Sequence, residues 1–305
     1  MQLKRYIGHL IFILLVTSLI AGEGFVTKQI GKIKSGKIKE ASGMAYSRRN
    51  KDRLWIINDS GAKADIHALT LTGKRLGRFR ISGIHNRDWE DLAAFRKDDI
   101  SYLLIGDIGD NDAVHSQCQL ILIQEPDIAL LSESKKQKIE ALVRVSFVYE
   151  NGPRDCEAMA VDEQRGIIYL VSKREYPPVL YELPLIFTTP KATLTAKRVT
   201  TVPGIPKPTL QDLREDTRYG AHCNQPTAMD IDENRLVILT YKRLFIYTRK
   251  SNDDWASVLG KVQPIAFQFP HLKQAESLCI QPDTGSMLIT SEGKHPPILE
   301  ITIPH

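Results

Sequence analysis

Acidic and hydroxyl side chains recur at a fixed place relative to short apolar runs in this 305-residue sequence. With Met44, Leu92, Met159, Met229 and Leu278 as equivalent positions, the residue two before each is Ser42, Glu90, Glu157, Thr227 or Glu276. Two further back stand Glu40, Asp88, Asp155, Gln225 and Gln274. A second apolar run follows each first one. These second runs end in Asn58-Asp59-Ser60, Asp107-Ile108-Gly109-Asp110-Asn111, Ser172-Lys173-Arg174-Glu175, Tyr241-Lys242 and Ser291-Glu292. Brought together, such side chains form a ring of oxygen ligands with one or two lysines among them. Crowded carboxylates raise one another's pKa unless a cation neutralises them. Ca²⁺ takes six to eight oxygens from carboxylates, amides and carbonyls, which suits this inventory. The expected metal ligands are Asp59, Glu90, Asp107, Glu157, Glu276 and Glu292. The expected catalytic residues are Glu90 or Glu157 as base and Lys173 as the group that steadies developing negative charge.

The competing reading is structural. An Asp or Glu entering a strand often caps a turn, and Asn58-Asp59-Ser60-Gly61 is a good turn sequence by itself. Lys173, Tyr241 and Glu292 argue the other way, because they differ at equivalent positions where structure alone would not require it. Other chemistries find no pattern. The histidines beyond the first residues (His67, His85, His115, His222, His271, His295 and His305) form no zinc motif. There is no G-x-S-x-G elbow, no phosphate loop, and no EF-hand spacing in Asp107–Asp112. Trp55 and Trp89 can stack on a sugar ring, but burial is the simpler fate for both.

The elements that must hold these residues repeat. The reference positions are spaced by 48, 67, 70 and 49 residues, so the basic unit is about 48 residues, the length of a four-stranded propeller blade. In the first unit the strands fall at Met44–Ser47, Leu54–Asn58, Ile66–Thr72 and Leu76–Ile81. The last unit has room for only three strands. Phe25–Ile33 can supply the fourth by pairing with Ile298–Ile303 and so close the ring. The expected fold is therefore an all-β five-bladed β-propeller closed by an N-terminal strand, with six blades as the alternative. Two insertions interrupt the period. Asp127–Ala141 reads as a short amphipathic helix, and Gly204–Asn224 is expected on the same rim as Glu90 and Asp107.

Lys4 and Arg5 precede an apolar run, Leu10 to Ile20, and small residues follow at Ala21, Gly22 and Gly24. This is the pattern of a signal peptide over residues 1–24 ahead of a single domain over 25–305, and it predicts a periplasmic or secreted protein. The rival is an uncleaved anchor, the only case in which a membrane would be a partner. The formal charge is +5, or +3 without Lys4 and Arg5. That excess is too small to argue for nucleic acid. The four cysteines show no zinc spacing. Cys279 reads as a buried thiol, and Cys156 with Cys223 is the first pair to consider for a disulfide.

The strings Leu54-Trp55-Ile56-Ile57-Asn58-Asp59-Ser60-Gly61, Asp88-Trp89-Glu90-Asp91, Gly106-Asp107-Ile108-Gly109-Asp110-Asn111 and Asp155-Cys156-Glu157-Ala158 resemble a family of uncharacterised bacterial exported β-propellers. More distantly, the carboxylate rim is similar to the calcium-bearing mouths of gluconolactonase-type and phytase-like propellers. The resemblance implies a fold and no secure activity. Two function classes stay open. One is a Ca²⁺-dependent hydrolase of a lactone or phosphate ester. The other is a non-catalytic propeller of the envelope that binds a small anionic or sugar-like ligand, or an envelope protein, at the same mouth. A monomer is expected in either case.

Overall fold

The computed structural model describes residues 24–131, 137–250 and 253–303. Among the described residues, short apolar runs broken by Gly, Asp, Asn and Lys turns become 21 strands. After β1 (Val26–Lys32), the first unit holds β2 (Ala41–Tyr46), β3 (Arg53–Asn58), β4 (Asp65–Thr70) and β5 (Arg75–Ile81). The second holds β6 (Trp89–Lys97), β7 (Ile100–Asp107), β8 (Cys118–Gln124), a short β9 (Gln137–Ile139) and β10 (Val143–Tyr149). The third holds β11 (Cys156–Asp162), β12 (Ile167–Ser172), β13 (Val179–Pro184) and β14 (Leu194–Thr201). Helix α1 (Leu210–Glu215) leads to β15 (Pro226–Ile231), β16 (Arg235–Thr240), β17 (Arg243–Thr248), α2 (Trp255–Leu259) and β18 (Ile265–Gln268). The last unit is β19 (Ala275–Ile280), β20 (Met287–Ser291) and β21 (Pro297–Thr302). The four strands expected in the first unit are those observed.

Burial follows strand position. Every residue of β2, β11 and β19 is buried, so these strands are covered on both faces. Strand β10 alternates buried with half-buried or exposed residues, as an element with one solvated face should. The first strands of the five units pack against one another in cyclic order: β2 on β6, β6 on β11, β11 on β15, β15 on β19 and β19 on β2.

Hydrogen bonding corrects the expected architecture. Neither five nor six separate four-stranded propeller blades are what the ladders build. The strands form four sheets, of eight, five, four and four strands. The eight-stranded sheet runs β11-β12-β13-β14-β10-β8-β7-β6. Parallel pairing of Phe147, Val148 and Tyr149 with Leu194, Thr195 and Ala196 makes it continuous. Its two end strands, β6 and β11, lie against each other, so the sheet nearly closes on itself as a barrel does. Its two halves enclose one apolar cluster that includes Phe95, Leu104, Phe147, Met159 and Leu170. The five-stranded sheet gains β9, which runs parallel to β5. The physical reason is edge satisfaction. Outer strands left unpaired would expose rows of N–H and C=O groups, and β14 and β9 cover two of those edges.

Two smaller expectations also change. Among its described residues, the Asp127–Ala141 insertion gives one 3-10 turn at Ile128–Leu130 and then β9, and no amphipathic helix; residues 132–136 of it lie outside the described residues. All four cysteines are free and buried, so Cys156 and Cys223 form no disulfide. Cys156 faces the apolar cluster of the eight-stranded sheet, whereas Cys223 lines a cavity beside α1. By contrast, β1 does pair antiparallel with β21, from Val26 opposite Thr302 to Lys32 opposite Pro297. The leader over residues 1–24 lies almost wholly outside the described residues.

Two buried carboxylates tie units together. Glu125 accepts the Arg48 and Arg49 N–H groups at 3.0 Å each and Trp55 Nε1 at 2.8 Å, so the second unit anchors the first. Asp91, which is fully buried, accepts the N–H groups of Leu92 at 2.8 Å, Met159 at 2.8 Å and Met229 at 3.1 Å. It thereby bridges β6, β11 and β15. Trp55 and Trp89 are both fully buried.

An Asp91→Ala variant leaves three buried N–H donors without an acceptor. At about 1–3 kcal/mol for each unsatisfied group, it should lose roughly 3 kcal/mol or more in denaturant unfolding. Asp91→Asn, which keeps a carbonyl acceptor, should lose less. A loss below about 1 kcal/mol for the alanine variant would show that the bridge is dispensable.

Candidate metal centre

The recurring side chains owe their direction to one backbone device. In all five units the ladder between first and second strands slips by one residue near its start. The slips fall between Ala41 and Gly43, Trp89 and Asp91, Cys156 and Ala158, Pro226 and Ala228, and Ala275 and Ser277. The skipped residues are Ser42, Glu90, Glu157, Thr227 and Glu276. A β-bulge leaves its extra residue out of the ladder and re-aims the side chain. All five are buried nonetheless, between 1% and 8% exposed.

Three carboxylates converge most closely. Asp59, Asp88 and Glu90 each offer an oxygen, and these atoms lie within 4.8 Å of one another. Asp59 comes from the exit of β3, and Asp88 and Glu90 from the entry to β6, so two units build the group. Ser42 Oγ donates to Glu90 Oε2 at 3.0 Å and orients it. The Asp107 Oδ1 atom accepts the Asp88 N–H at 2.9 Å and fixes the backbone beneath. Gly109 completes the arrangement. A Cβ there would collide with Glu90 Oε1 and Asp88 Oδ2, so its absence leaves the space into which both carboxylates point.

The remaining acids are held differently. Lys173 Nζ is bonded to Glu157 Oε1, and Glu157 Oε2 has no partner although the residue is only 5% exposed. Tyr241 donates its hydroxyl to Glu276 Oε1 at 3.1 Å, and Gln274 donates to Glu292 Oε2 at 3.0 Å. Burial, then the charges of Glu157 and Glu292, holds Glu276 well above the carboxylate range. Asp107 is a backbone cap that also faces Arg87 at 3.7 Å. The Gly204–Asn224 insertion lies beside the Tyr241 side of this group. Its helix α1 is capped by Thr209 and Asp212, and Asp212 receives Lys242 Nζ at 2.6 Å. Tyr241 and Gln274 share with Tyr219 and Phe269 the wall of a cavity of about 500 Å³.

Burial raises the pKa of each clustered acid. Asp88 is pushed up to about 6 by burial and then by the charges of Asp59, Asp155 and Asp107. Glu157 is pushed up to about 7, because burial outweighs the pull of Lys173. Burial, then Glu157, Asp59 and Asp88, holds Glu90 well above the carboxylate range. Asp59 and Glu292 are raised by burial as well. Three carboxylate oxygens with no nitrogen or sulfur donor among them suit a hard divalent cation such as Ca²⁺, and Asp59, Asp88 and Glu90 are the residues that can hold it.

The set expected from sequence therefore changes in composition. Asp88 joins Asp59 and Glu90 among the residues that can hold a cation, while Glu157, Glu276, Glu292 and Asp107 have other primary partners. Asp88 was visible in the repeat, two residues before Glu90, but nothing in the pattern marked it above Asp155. The hydrolase reading is set aside. Lys173 and Glu157 neutralise each other as a buried pair, so neither stands free as oxyanion donor or base. The strands build a nearly closed eight-stranded sheet and three further sheets rather than the ring of blades that reading needs. The propeller-mouth binding alternative falls with the same architecture. No protein-family model matches the chain, and no curated protein matches it. The resemblance to exported propellers, and to gluconolactonase-type and phytase-like proteins, is thus without support.

A carboxyl whose pKa is raised on folding binds its proton more tightly in the folded chain. Its contribution to stability is full below the unfolded value, near 4, and is lost as pH rises through the folded one. For Asp88 that window runs up to about 6. A bound cation replaces the protons and removes the loss. Thermal unfolding from pH 5 to pH 8 should therefore show a Ca²⁺-dependent gain that widens with pH, and a gain independent of pH would contradict this electrostatic account.

Proposed function

We propose that this protein binds a divalent cation, Ca²⁺, through Asp59, Asp88 and Glu90. The observation that carries the reading is the convergence of three carboxylate oxygens within 4.8 Å of one another, at a place where Gly109 leaves room. Repulsion among them is strong and no ammonium or guanidinium pairs with any of the three among the described residues. A divalent ion relieves that repulsion directly. Water and carbonyl oxygens ordinarily fill the rest of a Ca²⁺ shell. The leader-like run Leu10–Ile20 favours a location outside the cytoplasm, where sites of this kind work at Kd values of about 10⁻⁴–10⁻³ M.

Titration calorimetry of the purified protein should register Ca²⁺ binding in that range. At a hundredfold excess over Kd, the ion should stabilise the fold by about 2.7 kcal/mol. Asp88→Asn should weaken binding by about tenfold or more, equivalent to about 1.4 kcal/mol, while leaving the cation-free protein folded. Gly109→Ala should abolish binding by filling the cradle. A wild-type protein that takes up no Ca²⁺ at millimolar concentration would end the proposal.

A further inference from the structure

We propose that the cavity beside α1 is a binding site for a small aromatic carboxylate. None of Asp59, Asp88 and Glu90 lines it, so it stands independently of the cation reading. Three connections build its wall. The Gly204–Asn224 insertion brings Tyr219 and Cys223, the turn from β16 to β17 brings Tyr241, and the segment from β18 to β19 brings Phe269 and Leu272. The insertion is extra to the strand count. With it the spacing from Met159 to Met229 is 70 residues, against 48 from Met44 to Leu92. Connections carried on a fixed scaffold are where binding residues concentrate.

The wall is fixed before any ligand arrives. Lys242 Nζ bonds Asp212 at 2.6 Å and Glu215 at 2.7 Å, while Arg243 reaches Asp212 at 3.3 Å and donates to Asn224 Oδ1 at 2.7 Å. A pocket held in this way costs little ordering on binding. Its volume of about 500 Å³ lies within the range of small-molecule sites, about 300–1,000 Å³.

Polarity grades from floor to mouth. Cys223, Phe269 and Leu272 are buried and Tyr219 is half-buried, whereas Arg218, His271 and Lys273 are exposed. The floor suits an apolar ring, against which Tyr219 and Phe269 can stack. The mouth suits an anion. Lys242 and Arg243 already neutralise Asp212 and Glu215. Asp216 acts on Arg218 and His271 as an opposite charge, but its Oδ1 accepts the Arg218 and Tyr219 N–H groups at 3.0 and 2.8 Å. Lys273 has no ion pair among the described residues. The Arg218 guanidinium stands over the Tyr219 ring, 4.9 Å from its centre. Against the three acids stand Lys242, Arg243, Arg218 and Lys273. That excess of one fixed positive charge is what a monoanion matches. A guanidinium takes a carboxylate through two parallel N–H bonds, and a ring on the same molecule fills the floor.

The probe is phenylacetate, titrated calorimetrically into the whole chain with a chelator present, so that the outcome is separate from Ca²⁺ binding. It should bind with a Kd of about 1 mM or below. Two controls divide its chemistry: 2-phenylethanol keeps the ring without the charge, and acetate keeps the charge without the ring. Each should bind at least about tenfold more weakly. The double variant R218Q/K273Q changes only exposed side chains. It should weaken phenylacetate by about tenfold and leave 2-phenylethanol unchanged, whereas Tyr219→Ala should weaken both ring compounds. No binding of phenylacetate by wild type overturns the inference, as does equal binding of either control. Full affinity for phenylacetate in R218Q/K273Q or in Y219A overturns it as well. Should either variant fail to fold, the three probes on wild type still decide the matter.

Discussion

Strands that pack side by side without a ladder leave backbone N–H groups facing a space that water does not reach, and each such group must find an acceptor. The first strands β6, β11 and β15 meet in this way. Asp91 supplies the acceptors, taking one N–H from its own strand and one from each of the other two. Burial keeps this carboxyl well above its ordinary pKa, with the three N–H groups opposing that rise. Asp230 plays a related part between β15 and β19, accepting Ile280 N–H at 2.7 Å. The convergence of the units therefore depends on side-chain oxygens where a continuous sheet would use carbonyls.

The same convergence sets the chemistry at the strand entrances. Because each first strand bulges at its second residue, five polar side chains turn away from their ladders and toward one another. Where the bulge holds Ser42 or Thr227, the hydroxyl donates to a neighbouring unit, to Glu90 or to the Ala275 carbonyl. Where it holds Glu, a charge must be managed. Lys173 neutralises Glu157, while Glu276 accepts the Tyr241 hydroxyl. Glu90 meets Asp59 and Asp88 instead, and accepts the Ser42 hydroxyl.

Much of this was legible in the sequence, for a physical reason. Strand positions within a unit are written in apolar runs and turn residues, and the period of about 48 residues follows from four such runs. The pairing of β1 with β21 followed from counting strands in the last unit. What escaped was whatever joins one unit to another. The parallel contact of β10 with β14 spans only three residue pairs of unlike type and leaves no periodic trace. Bulges depend on register, which a strand pattern does not carry. Asp91 follows Glu90 within an acidic string and reads as another turn residue. Its isolation in the interior is visible only once β11 and β15 are in place.

The pairing of β1 with β21 has a mechanical side. Val26 lies opposite Thr302, and Lys32 opposite Pro297, so the outward-leading ends of both strands sit at the same end of their ladder. Tension drawing those ends apart would load the hydrogen bonds one after another, as in opening a zipper, rather than all together in shear. Separation would begin at Val26 and Thr302 and meet the irregularity between Gln29 and Gly31 partway along. Once this seam opens, β21 keeps β20 as its remaining ladder partner.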